Sequence, residues 1–307
     1  MSRWQKFLQE ARDNRQVSNE PYQRQVRKGH VKNRDTYLKG GPIATDAGGS
    51  GYKKKPPNSR SLSAPPLGEE VDPETFEKKA ELEPKFWVAG RLNPKISRRL
   101  LKIAQEFIDG LDLPVPIEIE DITLTGSLAN YNWSKYSDVD LHIVVNFSKI
   151  DFNRRLVKKL FDEARMRWNE LHDIMMYGHE VEIYVEDTTE VHKSSGIYSI
   201  AKDDWIVEPV SGTVHFDYPT ARKKADAIEA EVNLITKFAN DKPRATLKSV
   251  ERLKEKIRRI RRAGLNSPEQ EYSAENIAFK ILRREHTLDK LNDMKYDAYD
   301  RILSVVE

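Results

Sequence analysis

Two short polar motifs stand out in the stretch TLTGSLANYNWSKYSDVDLHIVVNF, residues 123–147. Gly126 and Ser127 form a Gly-Ser pair, and after ten intervening residues come Asp138 and Asp140. The two aspartates begin a β-branched apolar run, and side chains two apart in a strand point to the same face. Paired carboxylates repel each other unless a cation lies between them, and Mg²⁺ favours such hard oxygen ligands together with substrate phosphates.

The Gly-Ser pair has the composition of a phosphate-binding turn. A strand is predicted to end at Gly126, where the absence of a side chain lets a phosphate approach the backbone. Ser127 follows with a hydroxyl beside the N–H groups of a predicted short helix. A triphosphate bound there would reach Asp138 and Asp140 if the two strand ends are neighbours. The alternative for Ser127 is a helix N-cap with no ligand.

A third carboxylate is predicted on a later strand, HEVEIYVED. Glu182 lies 42 residues after Asp140 and on the polar face of this strand. Glu180, two residues earlier, is a second candidate on the same face. A third carboxylate there could share a second metal ion and act near an attacking hydroxyl. We favour Glu182 because it is embedded in the apolar alternation around Val181 and Ile183.

The elements that must position these residues follow from hydrophobic periodicity. Strands are predicted at IEIEDITLTG, DLHIVVNF and HEVEIYVED. A helix with a continuous apolar stripe is predicted over residues 94–110, ending at Gly110. A second helix is predicted over DFNRRLVKKLFDEARMRWNELHDIM, with apolar positions at Phe152, Leu156, Leu160, Phe161, Ala164, Trp168 and Leu171.

The predicted fold class is α+β: a small mixed sheet with flanking helices, followed by a helical domain. Four helices are predicted over residues 221–240, 245–263, 273–285 and 287–306. Residues 1–75 are rich in Gly, Pro, Ser and Lys, which predicts a disordered basic tail with one short helix at residues 4–16. The predicted domains are therefore residues 1–75, 76–215 and 216–307.

The order of these motifs resembles the DNA polymerase beta-like nucleotidyltransferase superfamily. The likeness covers about residues 94–190, and the Gly-Ser to Asp-x-Asp spacing is its most specific part. It implies that Gly126 and Ser127 hold the phosphates of an NTP and that Asp138, Asp140 and Glu182 bind two Mg²⁺ ions, with Mn²⁺ as a substitute. It also implies transfer of a nucleoside monophosphate to an acceptor hydroxyl, with release of pyrophosphate.

Two further points bear on this resemblance. IRRIRRAGL, EYSAENIAFKILRRE and LDKLNDMKYDAYDRILS are similar to stretches in uncharacterised nucleotidyltransferase-like proteins of tailed phages, which would place the protein in a host cytoplasm. The superfamily usually has Asp as its third carboxylate, whereas the candidate here is Glu182. That departure leaves open a protein that keeps the fold without catalysis and acts as a nucleic-acid-binding or virion-associated protein.

The composition and charge of the chain limit the kinds of partner and site that it could have. The 307 residues carry a net charge of +3, but residues 1–64 hold 14 Lys and Arg against 5 Asp and Glu. This basic excess predicts contact with nucleic acid, and the alternative is a tail that only aids solubility. There is no cysteine, so disulfides and thiolate metal sites are excluded. We expect no membrane span and a cytoplasmic location, while the oligomeric state, the NTP and the acceptor stay open.

Several other side chains have two interpretations each. His142 shares the predicted face of Asp140 but fits a packed histidine better than a ligand. Trp133 fits a core or hinge position better than a base-stacking platform. Tyr198 and Trp205 could stack on a base in an interdomain cleft or pack in an interdomain loop. The basic helix 245–263 could present a solvated face or form the wall of a groove that contacts phosphates.

Overall fold

The computed structural model describes residues 71–111, 113–191 and 194–305, and it shows the α+β fold that the sequence predicts. The predicted helix at residues 4–16 and the predicted tail up to residue 70 lie outside the described residues. The strands are β1 (Trp87–Val88), β2 (Arg91–Leu92), β3 (Ile119–Thr125), β4 (Val139–Val145), β5 (Met175–Met176), β6 (His179–Asp187), β7 (Ile197–Ser199) and β8 (Asp204–Val207). The α-helices are α1 (Pro94–Gly110), α2 (Arg154–Leu171), α3 (Tyr218–Thr236), α4 (Pro243–Leu265), α5 (Ala274–Arg284) and α6 (Thr287–Leu303).

Six strands form one mixed sheet in the order β5-β6-β4-β3-β7-β8. Strands β4 and β6 are parallel, and the other pairs are antiparallel. A parallel pair needs a crossover connection, which α2 supplies between β4 and β6. The three strands predicted from the sequence, β3, β4 and β6, therefore lie side by side in the centre of the sheet.

Helix α1 packs on the sheet as its periodicity predicts. The Asn93 side chain accepts a hydrogen bond from the Lys95 N–H at 3.0 Å, and Pro94 occupies the first turn, where its missing N–H costs nothing. The predicted apolar stripe is buried in full: Ile96, Leu100, Ile103, Ala104, Phe107 and Ile108. These residues join one hydrophobic cluster with the inward side chains of β3, β4 and β6.

Helix α2 buries less of its apolar surface than predicted. Phe161 is buried, and Ala164 and Trp168 pack against the same cluster, but Phe152 is 93% exposed. The other predicted core positions on this helix, Leu156, Leu160 and Leu171, are also exposed. The reason is that α2 lies along the side of β6 that faces away from β4, beyond the two-residue strand β5. The Asn169 side chain accepts a hydrogen bond from the Ile183 N–H at 3.1 Å and donates one to the Ile183 carbonyl at 3.3 Å.

Helices α3 to α6 form a second hydrophobic cluster. Helix α3 begins earlier than predicted, because Asp217 caps it by accepting a hydrogen bond from Thr220 N–H and Pro219 fits its first turn. Helix α4 continues past the predicted stop at Gly264. A side chain there would come within 2.4 Å of the Ser273 hydroxyl, so Gly264 lets α4 approach the segment before α5.

The first residues of the described chain pack in this second hydrophobic cluster. Val71 and Phe76 are buried among the helical residues, and Pro73–Phe76 form a 3-10 helix. Residues 71–75, which the predicted boundary places in the tail, are therefore ordered. Phe76, which that boundary places with the sheet domain, packs with the helices instead. No helix in the described part of the chain has both the length and the apolar character that crossing a bilayer requires.

Candidate functional site

The centre of the sheet brings the predicted carboxylates level with one another. Thr125 pairs with Asp140 across β3 and β4, and Asp140 pairs with Glu182 across β4 and β6. The two strand ends that carry the Gly-Ser pair and the Asp pair are thus neighbours, as the phosphate-binding hypothesis requires. Paired residues in a sheet project from the same face, so Asp140 and Glu182 lie side by side there.

Gly126 lies directly against the Asp140 carboxylate. Its φ is +73°, a left-handed conformation that side chains disfavour. A Cβ atom added to Gly126 would lie 1.8 Å from Asp140 Oδ2, well inside any permitted contact. The glycine is therefore required both by the backbone conformation and by the close approach of the turn to the carboxylate.

Ser127 holds the loop between the two motifs closed. Its hydroxyl donates a hydrogen bond to Ser137 Oγ at 2.7 Å, and Ser137 Oγ also accepts the Ser134 N–H at 2.9 Å. The predicted short helix is one 3-10 turn, Ser127–Ala129, with Gly126 at its N-cap position and no side-chain capping bond. The short helix predicted to start after Gly126 is this single turn, and residues 130–138 lead from it to β4.

Asp138 is buried and forms an ion pair with the helical domain. Its side chain is 8% exposed, and its Oδ2 lies 2.7 Å from an Nη atom of Arg283 on α5. The backbone carbonyl of Ser137 contacts His179 Nδ1 at 2.6 Å, which ties the start of β4 to the start of β6. An arginine from α5 therefore faces the first of the two aspartates.

Asp140 lies in a strongly unfavourable electrostatic environment. Loss of hydration and the nearby Asp138 and Glu182 carboxylates raise the pKa of Asp140 to about 8, and Arg283 only partly opposes this rise. Like charges at this separation disfavour ionisation of both groups. The cluster therefore has an excess of negative charge that a bound cation would neutralise.

Glu182 is oriented by a neighbour on the same strand. The Tyr184 hydroxyl donates a hydrogen bond to Glu182 Oε2 at 2.5 Å, and burial and the nearby carboxylates raise the pKa of that hydroxyl. The Tyr184 ring stacks on His142, with centroids 4.8 Å apart. Glu180 is buried and precedes the first β4–β6 pair, Val139 with Val181, by one residue. Glu182 is thus level with Asp140. Glu180 lies two residues earlier on β6, nearer the level of Asp138.

The other polar and aromatic candidates pack within the fold. His142 is buried and contacts Glu186 Oε1 through Nδ1 at 2.7 Å. Trp133 packs against the sheet cluster and donates its indole N–H to the Glu81 carbonyl at 2.8 Å. Tyr198 is fully buried, and Trp205 stacks on Trp87 with centroids 4.6 Å apart. The packed interpretation is therefore the one that the structure shows, although Tyr198 and Trp205 lie on the β7–β8 hairpin rather than in a loop.

The sequence motifs do not indicate a role for Arg283 or for Tyr184. The signal for Tyr184 was present, because it shares the polar face of β6 with Glu182. Arg283 lies on α5 with Lys280 and Arg284 at helical spacing, but periodicity alone does not say which element that helix face approaches. Of the basic residues of α4, Arg261 lies near Arg283, and its side chain is exposed like those of Arg258, Arg259 and Arg262.

The fit of a divalent cation can be judged from these contacts. Three carboxylates supply the oxygen donors that Mg²⁺ prefers, and the raised pKa of Asp140 shows uncompensated negative charge. Among the described residues, no group of three or more His, Asp or Glu side chains converges in a way that could hold a metal ion. The donor types fit Mg²⁺ but their present arrangement does not, and binding would require Asp138 to exchange its contact with Arg283 for the cation.

Comparisons with known proteins found no match: no protein-family model, no curated protein and no solved structure is similar to this chain.

Proposed function

We propose that this protein is a Mg²⁺-dependent nucleotidyltransferase of the DNA polymerase beta-like type. The observation that carries the proposal is the register of β3, β4 and β6, which places the Gly126 turn and Glu182 on either side of Asp140. This is the arrangement expected if a triphosphate lies on the turn and reaches carboxylates that hold a cation.

The proposed reaction joins an acceptor hydroxyl to the α-phosphorus of an NTP. The hydroxyl oxygen forms the new O–P bond, the bond between the α-phosphorus and its bridging oxygen breaks, and pyrophosphate leaves. The proton of the hydroxyl passes to the carboxylate cluster of Asp138, Asp140 and Glu182. When bound, Mg²⁺ would neutralise the charge that develops on the attacking and leaving oxygens. Gly126 and Ser127 would position the β- and γ-phosphates through their backbone N–H groups.

The decisive experiment measures pyrophosphate release. The full chain is incubated with each of the four NTPs and Mg²⁺ or Mn²⁺, over a panel of acceptors that includes RNA, proteins and nucleotides. Asp138→Asn with Asp140→Asn should abolish turnover and leave the fold intact, because the relief of like-charge repulsion at Asp140 offsets the lost ion pair between Asp138 and Arg283. Glu208→Gln, at an exposed carboxylate beyond β8, is the matched control and should keep full activity. Full activity in the double variant would refute the assignment of the site.

One observation favours a second function. The Arg283–Asp138 ion pair already neutralises one carboxylate without a metal, as expected in a protein that keeps the fold but has lost catalysis. Such a protein would act as a nucleic-acid-binding or virion-associated protein, with the basic N-terminal segment as its contact surface. The same assay separates the two functions, because the non-catalytic protein releases no pyrophosphate with any acceptor and either metal ion.

A further inference from the structure

One face of α5 carries three cationic side chains. Lys280, Arg283 and Arg284 are spaced i, i+3 and i+4, so they project from the same side of the helix. This side is turned toward the sheet, because Arg283 contacts Asp138 at 2.7 Å. The helical domain thus presents a basic face opposite the carboxylates of β4 and β6.

Arg284 is committed to structural contacts. Its guanidinium lies 4.1 Å from the ring centroid of Phe76 and 4.8 Å from that of Tyr136. It also donates hydrogen bonds to the hydroxyls of Thr75 and Ser134. These contacts join α5 to the N-terminal segment and to the loop before Asp138. Arg284 therefore holds the two domains together and is not available to a ligand.

Lys280 and Arg261 complete a cationic cluster around Arg283. Arg261 comes from α4, and its guanidinium lies 4.2 Å from the Phe279 ring centroid. Burial lowers the pKa of Lys280; Glu271 opposes this shift, whereas Arg284, Arg283 and Arg261 reinforce it. The pKa of Arg261 is lowered by desolvation and by Arg283. Like charges gathered in this way cost free energy that a bound anion would recover.

We propose that Lys280, Arg261 and Arg283 bind the polyphosphate chain of a nucleoside triphosphate from the helical side of the cleft. The inference rests on the proposed function and names the side chains that hold its substrate. In this arrangement the Gly126 turn contacts the phosphates from the sheet and the three cations contact them from α4 and α5. Arg283 neutralises Asp138 in the free protein and turns to the phosphates when Asp138 takes up a cation.

A short polyphosphate fits this cluster better than a nucleic-acid backbone does. The cations lie opposite Asp138, Asp140 and Glu182, which would repel a phosphate backbone that ran on through the cleft. Other exposed arginines of α4, among them Arg258, Arg259 and Arg262, suit a long backbone better. The nucleic-acid alternative is therefore tested as an outcome below.

The test measures binding of inorganic tripolyphosphate to the full chain by calorimetry, without divalent cations. Lys280→Gln should raise the dissociation constant about tenfold, as expected for the loss of one charge-assisted contact worth about 1.5 kcal/mol. Arg261→Gln, which changes a different helix, should raise the dissociation constant by a similar factor. It tests the same site if Lys280→Gln fails to fold. Arg259→Gln, on the same helix as Arg261, is the matched control and should bind as tightly as the wild type within about twofold.

The outcomes separate this inference from the catalytic proposal. The Asp138→Asn, Asp140→Asn variant should bind tripolyphosphate at least as tightly as the wild type, because Arg283 loses its competing carboxylate. If no NTP yields pyrophosphate but binding still depends on Lys280, the anion site stands and catalysis is refuted. The inference is overturned if tripolyphosphate does not bind, if Arg259→Gln weakens binding as much as Lys280→Gln, or if only a single-stranded oligonucleotide binds in a Lys280-dependent way.

Discussion

The carboxyl group of Asp140 lies between Asp138 and Glu182, with Gly126 pressed against one of its oxygens. A carboxylate is best solvated by water, and the fold replaces part of that water with closely packed protein atoms and other carboxylates. The free protein therefore stores an electrostatic cost at this residue. That cost has a measurable dependence on pH.

The first prediction concerns the pH dependence of stability. The pKa of Asp140 is about 8 in the folded protein and 3.8 as its reference value, so the folded state holds a proton that the unfolded state releases. Folding stability therefore falls as the pH rises from about 4 to about 8, and the cost is fully present above that range. Asp140→Asn removes the cost. Its melting temperature should exceed that of the wild type by a margin that grows between pH 5 and pH 8.5, on the order of a few degrees.

Melting curves of both proteins, measured without divalent cations at several pH values, check this expectation. Asp204→Asn, at an exposed position on β8, provides the control. A margin between Asp140→Asn and the wild type that stays constant with pH would show that Asp140 ionises normally.

The second prediction distinguishes the two glutamates of β6. Glu182 is level with Asp140 and accepts the Tyr184 hydroxyl, whereas Glu180 is one step nearer Asp138. Glu182→Gln should lower the rate of pyrophosphate release by about a hundredfold or more with little change in NTP affinity, because the other carboxylates and the phosphate contacts remain. Glu180→Gln should have a mild effect. Steady-state kinetics of both variants show which glutamate supports the reaction. A larger loss of rate in Glu180→Gln than in Glu182→Gln would identify Glu180 as the third carboxylate.

At the scale of elements, the turn that follows β3 is the part that depends most on one residue type. Gly90 and Gly126 share a positive φ, of +76° and +73°, and Gly126 combines it with an extended ψ of −159°. A Cβ on Gly90 would meet no atom within 4 Å, whereas one on Gly126 would overlap Asp140. Gly90 is therefore a reference for a positive φ without a clash, and Gly126 adds both the extended ψ and the contact with the carboxylate.

The third prediction uses this pair. Gly90→Ala should cost about 1–2 kcal/mol of folding free energy through the left-handed backbone alone. Gly126→Ala should cost about 1–3 kcal/mol more, as expected for overpacking and for an extended backbone with positive φ, and should abolish pyrophosphate release because Asp140 is displaced. Denaturant unfolding and the activity assay measure the two effects. Equal stabilities of the two variants would show that Asp140 can move aside.

Much of this element-level description was predictable from the sequence, for physical reasons that differ between elements. The stripe of α1 and the alternation of β6 predicted their buried faces, because each packs its whole apolar side on one cluster. Helix α2 was predicted less well, since it covers a sheet edge and periodicity does not reveal what a helix packs against. The Arg283 contact with Asp138 joins residues 145 positions apart, and one sequence carries no signal for such a pairing.

At the scale of the whole molecule, the sheet and the helical domain have separate hydrophobic clusters joined by polar contacts. Arg283 with Asp138, Arg284 with Ser134, and Asn132 with Glu271 all connect the loop between β3 and β4 to the helical domain. Both clusters consist of residues from Val71 onward within the described chain. The basic N-terminal segment can therefore be tested separately from the two cores.

The fourth prediction is for deletion of residues 1–70. The melting temperature and NTP binding should stay nearly unchanged, because Val71 and Phe76 remain to fill the helical cluster. Affinity for RNA or DNA should fall and its salt dependence should flatten, because phosphate contacts by Lys and Arg set that slope. Filter binding across a range of salt concentrations measures both changes. A melting temperature lowered by many degrees would show that the deleted segment is part of a core.

The side-chain amide of Asn169 has a consequence for self-association. An exposed strand edge is a template for pairing with a strand from another molecule. Strand β5 pairs with the beginning of β6, and Asn169 occupies both backbone groups of Ile183 farther along the same edge. An incoming strand would have to displace this amide before it could extend the sheet. One asparagine on α2 thus serves as a barrier to the growth of β-aggregates, and its replacement by leucine would open that route.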